Sequence, residues 1–355
     1  MNQAIMWIMA AAAVIGGVDR IVGNRTGLGK KFEEGFLLLG PTALSMAGII
    51  CLVPLLSKGL QIAIVPIYDA LGLDAGMLGG ILAIDMGGYQ LAMELSRVSA
   101  VGRYAGIMVA ATFGCTISFT IPVGMGMLEE EEKKLFAEGV LIGMGTMPVA
   151  LFCGGLFCSL DVLTVLRESI PVLILAVLLM AGLWKFREQT VKGFSVFAGL
   201  IRILTTIGLI CGAVSYMTGW EVLPGMTSLS DAMKVVSSIG IVMLGSLPAA
   251  ELLQRALKKP LDWVGDKTGM NGASIAGLLM GIVSIVPAIA MMREMDERGK
   301  VVNAAFAVCG ASALAAHMGF AFGVEPTLVI PLLVTKVIGG CIGAVAALIL
   351  TEGKK

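Results

Sequence analysis

The chain has 355 residues, of which 57% are hydrophobic and 14% charged, with a mean hydropathy of +0.93 and a formal net charge of zero. A soluble domain of this length carries about a quarter charged residues, so a water-soluble globular protein is excluded, and the lack of any long block of Lys or Arg speaks against nucleic acid as a partner. What remains is an all-α polytopic transmembrane protein with the lipid bilayer as its surroundings.

Apolar runs recur near 4–18, 35–56, 76–95, 101–126, 136–160, 170–184, 194–218, 235–253, 272–292, 302–321 and 327–350, many of them long enough for about 30 Å of hydrocarbon. They predict ten or eleven spans. The first run lacks a basic n-region and a small-residue cleavage site, so it reads as a retained helix. The loop that follows carries Arg20, Arg25, Lys30 and Lys31, which places it in the cytoplasm and the N-terminus outside. Within that loop GNRTGLGKK (23–31) fails as a phosphate loop, because its glycine spacing is wrong and Lys31 stands where Ser or Thr should follow. The piece at 60–71 reads as interfacial or re-entrant.

The run at 76–95 contains GGILAIDMGGYQLAMEL (79–95), with an acid in its middle. A carboxylate at the bilayer centre costs about 2.5–3.5 kcal/mol on insertion scales and persists where it faces a cavity or partner. Gly87 and Gly88 follow Asp85 and permit local unwinding. Tyr89, four residues on, shares a helical face with Asp85, and an acid beside a ring suits an ammonium group. Asp85, Gly87, Gly88 and Tyr89 are therefore candidate substrate contacts, against the plainer roles of structural acid and packing ring.

Further on, LEEEEKK (128–134) and WKFREQTVK (184–192) predict solvated loops. The glycine pairs Gly139–Gly143 and Gly339–Gly343 suit close helix packing. In the run at 272–292, Ser284 and then Pro287 interrupt the pattern; proline removes a helical hydrogen bond. Ser284, Asn303 and His317 are the remaining candidate substrate contacts, while Lys336 reads as a paired or snorkelling cation. The seven cysteines all lie in apolar runs without a CxxC pair, which argues against a disulfide framework or metal site. No HExxH or GxSxG occurs. The chain is read as a transporter and not an enzyme, with no cofactor and no metal.

The two halves echo each other. GRYAG (102–106) stands 197 residues before GKVVN (299–303), LAMEL (91–95) falls beside MMREM (291–295), and the pairs IG at 142–143 and 338–339 also correspond. The basic loop of the second half, Arg255, Lys258, Lys259 and Lys267, matches the other loop of the repeat, the bias expected of an inverted repeat. The expectation is one transporter domain, with halves 1–160 and 194–352 joined by a linker span at 161–193. Interrupted helices at matching places in two halves point to a substrate site at the midplane.

Together GGVDRIVGN (16–24), FEEGF (32–36), IDMGGY (84–89), KKPLDWVG (258–265), MDERGKVVNAAFAV (295–308) and HMGFAFG (317–323) resemble the ethanolamine permeases of ethanolamine-utilisation operons, from about residue 4 to about 350. That resemblance implies a bacterial inner-membrane protein admitting ethanolamine for breakdown by an ammonia-lyase. It departs from the family at two places: Ala316 stands where an acid is usual before His317, and Ser284-Ile285-Val286 where Asn is usual before Pro287. These departures fit either weaker ethanolamine binding or a related small amine. Competing readings are an ion-coupled carrier of another small polar solute and, in a different class, a membrane scaffold or sensor. A homo-oligomer is compatible with any of them.

Overall fold

A backbone in hydrocarbon has no water to bond to and satisfies itself as helix. The computed structural model describes residues 2–82 and 87–352. Among these residues nine helices are long and apolar enough to cross a bilayer, and the element order contains no strand. The protein is all-α and polytopic, with fewer long spans than the apolar runs predict.

Helix α1 (Asn2–Ile21) turns into α2 (Leu28–Leu37) and α3 (Leu39–Ala63), which together make one stretch of 36 residues. The turn folds around Asp19, whose carboxylate accepts from the N–H groups of Thr26 (2.9 Å) and Gly29 (2.8 Å). A short α4 (Val65–Ala70) follows.

The two runs expected to be interrupted spans are instead hairpins that return to their own end of the bundle. In the first, α5 (Met77–Ile81) and α6 (Gly88–Leu95) lie antiparallel. Gly79 rests against the other arm so closely that a Cβ there would come within 2.5 Å of Ala92 N and Gly88 O. Buried Asp74 fastens the arms by accepting from Gly76 N (2.8 Å), Arg97 N (3.1 Å) and Val98 N (3.0 Å). In the second, α13 (Gly272–Val283) and α14 (Ile285–Ala290) meet at Ser284, which has an extended backbone. The ring of Pro287 would clash with the carbonyl four residues back, so the helix cannot run through. Here Asn271 Nδ2 donates to Glu294 O (2.9 Å), and Asp296 accepts from Asn271 N (2.7 Å) and Ser274 Oγ (2.9 Å).

Between and after the hairpins run the long spans. Helix α7 (Ser99–Arg103) passes through π-helical turns into α8 (Ile121–Met127). The acidic tract at 128–134 proves to be a helix start: Glu129 and Glu132 form a capping box, and Glu130–Glu132 fill the first turn of α9 (Glu130–Phe157), where the helix dipole favours acids. The 184–192 stretch is likewise corrected, since only Phe186 separates α10 (Val162–Lys185) from α11 (Arg187–Thr218). Then come α12 (Leu229–Thr268), α15 (Glu297–Gly310), α16 (Met318–Val324) and α17 (Val329–Leu350).

Helix α15 lies between α9 and α17 on their glycines. A Cβ on Gly139 would stand 2.3 Å from Val301 O, one on Gly143 2.6 Å from Ala305 O, and one on Gly339 2.7 Å from Cys309 Cβ. The two central spans, α7–α8 and α15–α16, run antiparallel and touch through Thr116 Oγ1, which donates to Val308 O (2.9 Å). Ion pairs stand near both ends of this pair: Arg103 to Glu325 at 3.8 Å, and Lys300 to Glu132 in the first turn of α9 at 3.7 Å. Asp74 and Asn271, Gly102 and Gly299, and Arg103 and Lys300 each stand 197 residues apart.

Contacts sort the loops into two ends. Arg255 Nη2 donates to Thr26 O (2.8 Å), Asn271 N to Asp296 (2.7 Å), and Arg298 to Thr268 O and Leu348 O, gathering the loops after α1, before α13 and before α15 at one basic end. Asp74, Arg97, Glu168 and the Arg103–Glu325 pair mark the other.

Candidate functional site

Starting from the basic end, a cavity of about 590 Å³ reaches inward between α2, α12 and the tip of the second hairpin. Its polar rim consists of Lys31 and Glu34, paired at 2.7 Å, and of Glu251, paired with Arg255 at 2.9 Å. Apolar side chains of α2 and α12, among them Leu37 and Leu247, form the walls. Ser284, Ser312, Ala316 and His317 lie at the inner end.

Two helices stop at this inner end. Helix α13 ends at Val283, and its Gly281 carbonyl accepts from Ser312 N at 2.8 Å. Helix α15 ends at Gly310, and Ser312 then takes a left-handed backbone with φ of +55°. That conformation is costly for a residue bearing a Cβ. The short π turn Ala313–His317 follows, leading into α16. His317 is 3% exposed, and its Nδ1 has no hydrogen-bond partner among the described residues. From the opposite wall Gln254 Nε2 donates to Leu279 O at 2.8 Å, steadying the last turn of α13.

Of the residues singled out in the sequence, the structure brings Ser284 and His317 to this cavity. It holds Asn303 away from it: the buried amide donates to Ser274 O and Gly299 O, both at 2.9 Å, and so joins α15 to α13. Tyr89 packs edge-on against Phe320, ring centroids 6.1 Å apart at 80°. Gly88 allows the arms of the first hairpin to touch, since a Cβ there would meet Gly79 O at 2.4 Å. Gly87 directly precedes α6. Asp85 lies outside the described residues. Lys336 does not snorkel; it is 1% exposed and donates to Ala111 O at 2.6 Å.

Sequence reasoning missed Ser312 and Gln254. A left-handed serine carries no sequence signal, and Gln254 reads as a polar residue near a helix end. The two departures from the family pattern, Ser284 and Ala316, both line the cavity.

A family model described as "Ethanolamine utilisation protein, EutH" matches residues 1–350. Among similar proteins, a "Probable ethanolamine permease EutH" from Listeria monocytogenes is 38% identical over 340 residues, covering 96% of this chain and 91% of its own length. One of the same description from Escherichia coli is 36% identical, covering 96% and 93%. An "Uncharacterized protein YxeR" from Bacillus subtilis is 35% identical over 354 residues, covering 99% and 96%. No solved structure matches.

Proposed function

Since the chain belongs to the EutH family of ethanolamine utilisation proteins and is a multi-pass protein of the bacterial cell membrane, we propose that it carries ethanolamine inward as a carrier or facilitator. The observation that bears most on this reading is the cavity itself. It is open at the basic end and stops at a buried, unpartnered imidazole nitrogen and a broken helix. Positive-inside bias assigns the basic end to the cytoplasm, so the form described is inward-open.

Ethanolamine at neutral pH is mostly a cation with one hydroxyl. Burying such a cation without partners is prohibitive, so the path must offer both a negative pole and a hydroxyl partner. In this reading His317 Nδ1 takes the hydroxyl, which donates or accepts as the tautomer requires. Ser284 borders the same space. The sequence makes Asp85 the acid proposed to supply counter-charge, with Gly87, Gly88 and Tyr89 next to it in the chain, while Asn303 acts through helix packing. No energy source beyond the membrane potential is needed for net entry; a cation gains about 2.3 kcal/mol per 100 mV.

We further infer an inverted repeat. Each half comprises a long span, a hairpin, a central span and a closing span, and the antiparallel central spans with ion pairs near both ends support that arrangement. The joining segment is then α10 with α11, longer than the linker read from the sequence.

A second reading, a related small amine as substrate, is favoured by the placement of Ser284 and Ala316 in the cavity lining. Uptake of radiolabelled ethanolamine tests the first reading, in cells at acidic pH that make the wild type or Asp85→Asn at equal membrane abundance. Saturable uptake by the wild type, lost in Asp85→Asn, is expected. No uptake by the wild type would reject ethanolamine, and equal uptake by both would leave the acid a structural role.

A further inference from the structure

Resting on the transport reading, we infer that the protein moves its substrate by shifting one packed body past another, and that Gln254 is the positioning residue that latches the two in the inward-open form. The bodies are told apart by how their helices meet. In the frame, made of α1, α2, α3, α11 and α12, backbones interlock. A Cβ on Gly48 of α3 would run into Thr205 O of α11, one on Gly35 of α2 into Met243 O of α12, and one on Gly245 of α12 into Met9 O of α1. Contacts this close leave no room for sliding, because any shift drives backbone against backbone.

The carrier body is built the same way from both hairpins, both central spans, α9 and α17. Gly139, Gly143 and Gly339 seat α15 between α9 and α17, and a Cβ on Gly80 of the first hairpin would stand 2.5 Å from Ala105 O of the first central span. Hydrogen bonds bind it as well. Thr116 Oγ1 to Val308 O joins the central spans, Lys336 Nζ to Ala111 O joins α17 to the first of them, and Asn303 Nδ2 to Ser274 O joins α15 to α13.

The seam between the bodies is of another kind. Where α16 lies along α12, a Cβ on Gly319 or Gly323 would come no nearer to the Ile239 side chain than 3.4 and 3.3 Å. A face of side chains at that range permits shear. The cavity lies in this seam, lined by Lys31, Leu247 and Glu251 from the frame and by Ser284, Ser312 and His317 from the carrier body. A second, apolar cavity of about 240 Å³, between α1, α12 and Phe322 of α16, lies in the seam too. Arg298 Nη1 crosses to Thr268 O where α12 runs into the second hairpin, so that bond rides on the chain connection. Gln254 instead spans the seam beside the cavity, where its Nε2 donates to Leu279 O of α13 at 2.8 Å. One neutral bond biases a position without forbidding another. Since Ser284, Ser312 and His317 belong to the carrier body, its shift along the frame withdraws them from the basic end and presents them to the other, a rigid-body form of alternating access.

The test uses Ala316→Cys in the full chain and a membrane-impermeant thiol reagent, in right-side-out and inside-out vesicles, with the modified position read by peptide mass. Position 316 lines the cavity and should label from both sides. A bridge between the bodies, Ile239→Cys with Gly319→Cys, should abolish labelling from outside, keep it from inside, and stop ethanolamine uptake until reduced. A bridge within the frame, from Gly212→Cys to native Cys51, whose Sγ lies 3.2 Å from the Cβ position, should leave labelling and uptake in place. Gln254→Leu should raise outside relative to inside labelling by about two- to tenfold, a ratio that a merely structural contact would not move.

Absence of outside labelling in the unbridged protein would overturn the proposal, as would outside labelling that persists across the bridge between the bodies, or equal effects of the two bridges. An unchanged ratio in Gln254→Leu would overturn the latch. Should position 316 label from both sides while no ethanolamine enters, the ethanolamine reading falls and the two-body motion stands.

Discussion

Replacing His317 by Phe removes a hydrogen-bonding nitrogen while keeping a ring of similar size. Nδ1 has no partner among the described residues, and the side chain is 3% exposed, so water does not compete for it easily. A neutral hydrogen bond to a ligand is worth a net ~0.5–1.5 kcal/mol, which is about two- to twelvefold in affinity. The assay is equilibrium binding of ethanolamine and of ethylamine to both proteins, at acidic pH so that each ligand is a cation. Ethanolamine should lose that factor on His317→Phe, whereas ethylamine, which has no hydroxyl, should change by less than about twofold. Equal loss of both ligands would mean that the ring only supports the fold, and no loss of either would mean that the hydroxyl binds elsewhere. Either result refutes the role given to Nδ1.

Gly139→Leu should destabilise by about 1–3 kcal/mol or more through overpacking, because even a Cβ would stand 2.3 Å from Val301 O. Gly126→Ala, with nothing within 4 Å of its Cβ position, should be neutral in the same detergent melting curves. Lys300→Glu should lower stability, and the swap Lys300→Glu with Glu132→Lys should restore part of it, since both partners are largely shielded from solvent; no recovery in the double variant would remove the pair from the account. Burial pushes the Asp296 carboxyl up, but the N–H groups of Asn271 and Gly299 and the Ser274 hydroxyl outweigh it and hold the group below its usual value. A lowered folded-state pKa stabilises above the unfolded value of about 3.9 and ceases to do so as pH falls through the folded value. Asp296→Asn should therefore flatten the acid arm of the stability profile below about pH 5, and an unchanged arm would contradict this.

The helical class and most of the spans were legible because run length and hydropathy report them directly. The hairpins were not. A run such as 76–95 is equally apolar whether it crosses or turns back, and only the bonds of Asp74 to Arg97 and Val98 reveal the return. Gly87–Gly88 and Ser284–Pro287 did mark the breaks. The acidic tract misled because a first helical turn and a solvated loop favour the same side chains. In the site, Ser284 and His317 stood out as polar residues in apolar runs. Asn303 stood out for the same reason, yet it serves packing. Ser312 was invisible, since its contribution is a dihedral angle and a backbone N–H.

That dihedral angle has a thermodynamic consequence. Holding a serine at φ of +55° costs on the order of 1–3 kcal/mol, and the fold meets that cost whether or not the cavity is occupied. The break between α15 and α16 is therefore set before any solute arrives, and none of a solute's interaction energy goes into making it. For the proposed carrier, selection among small amines would then rest on size and shape more than on adaptation. Position 312 should accept glycine or asparagine, which tolerate the left-handed region, far more readily than valine or isoleucine.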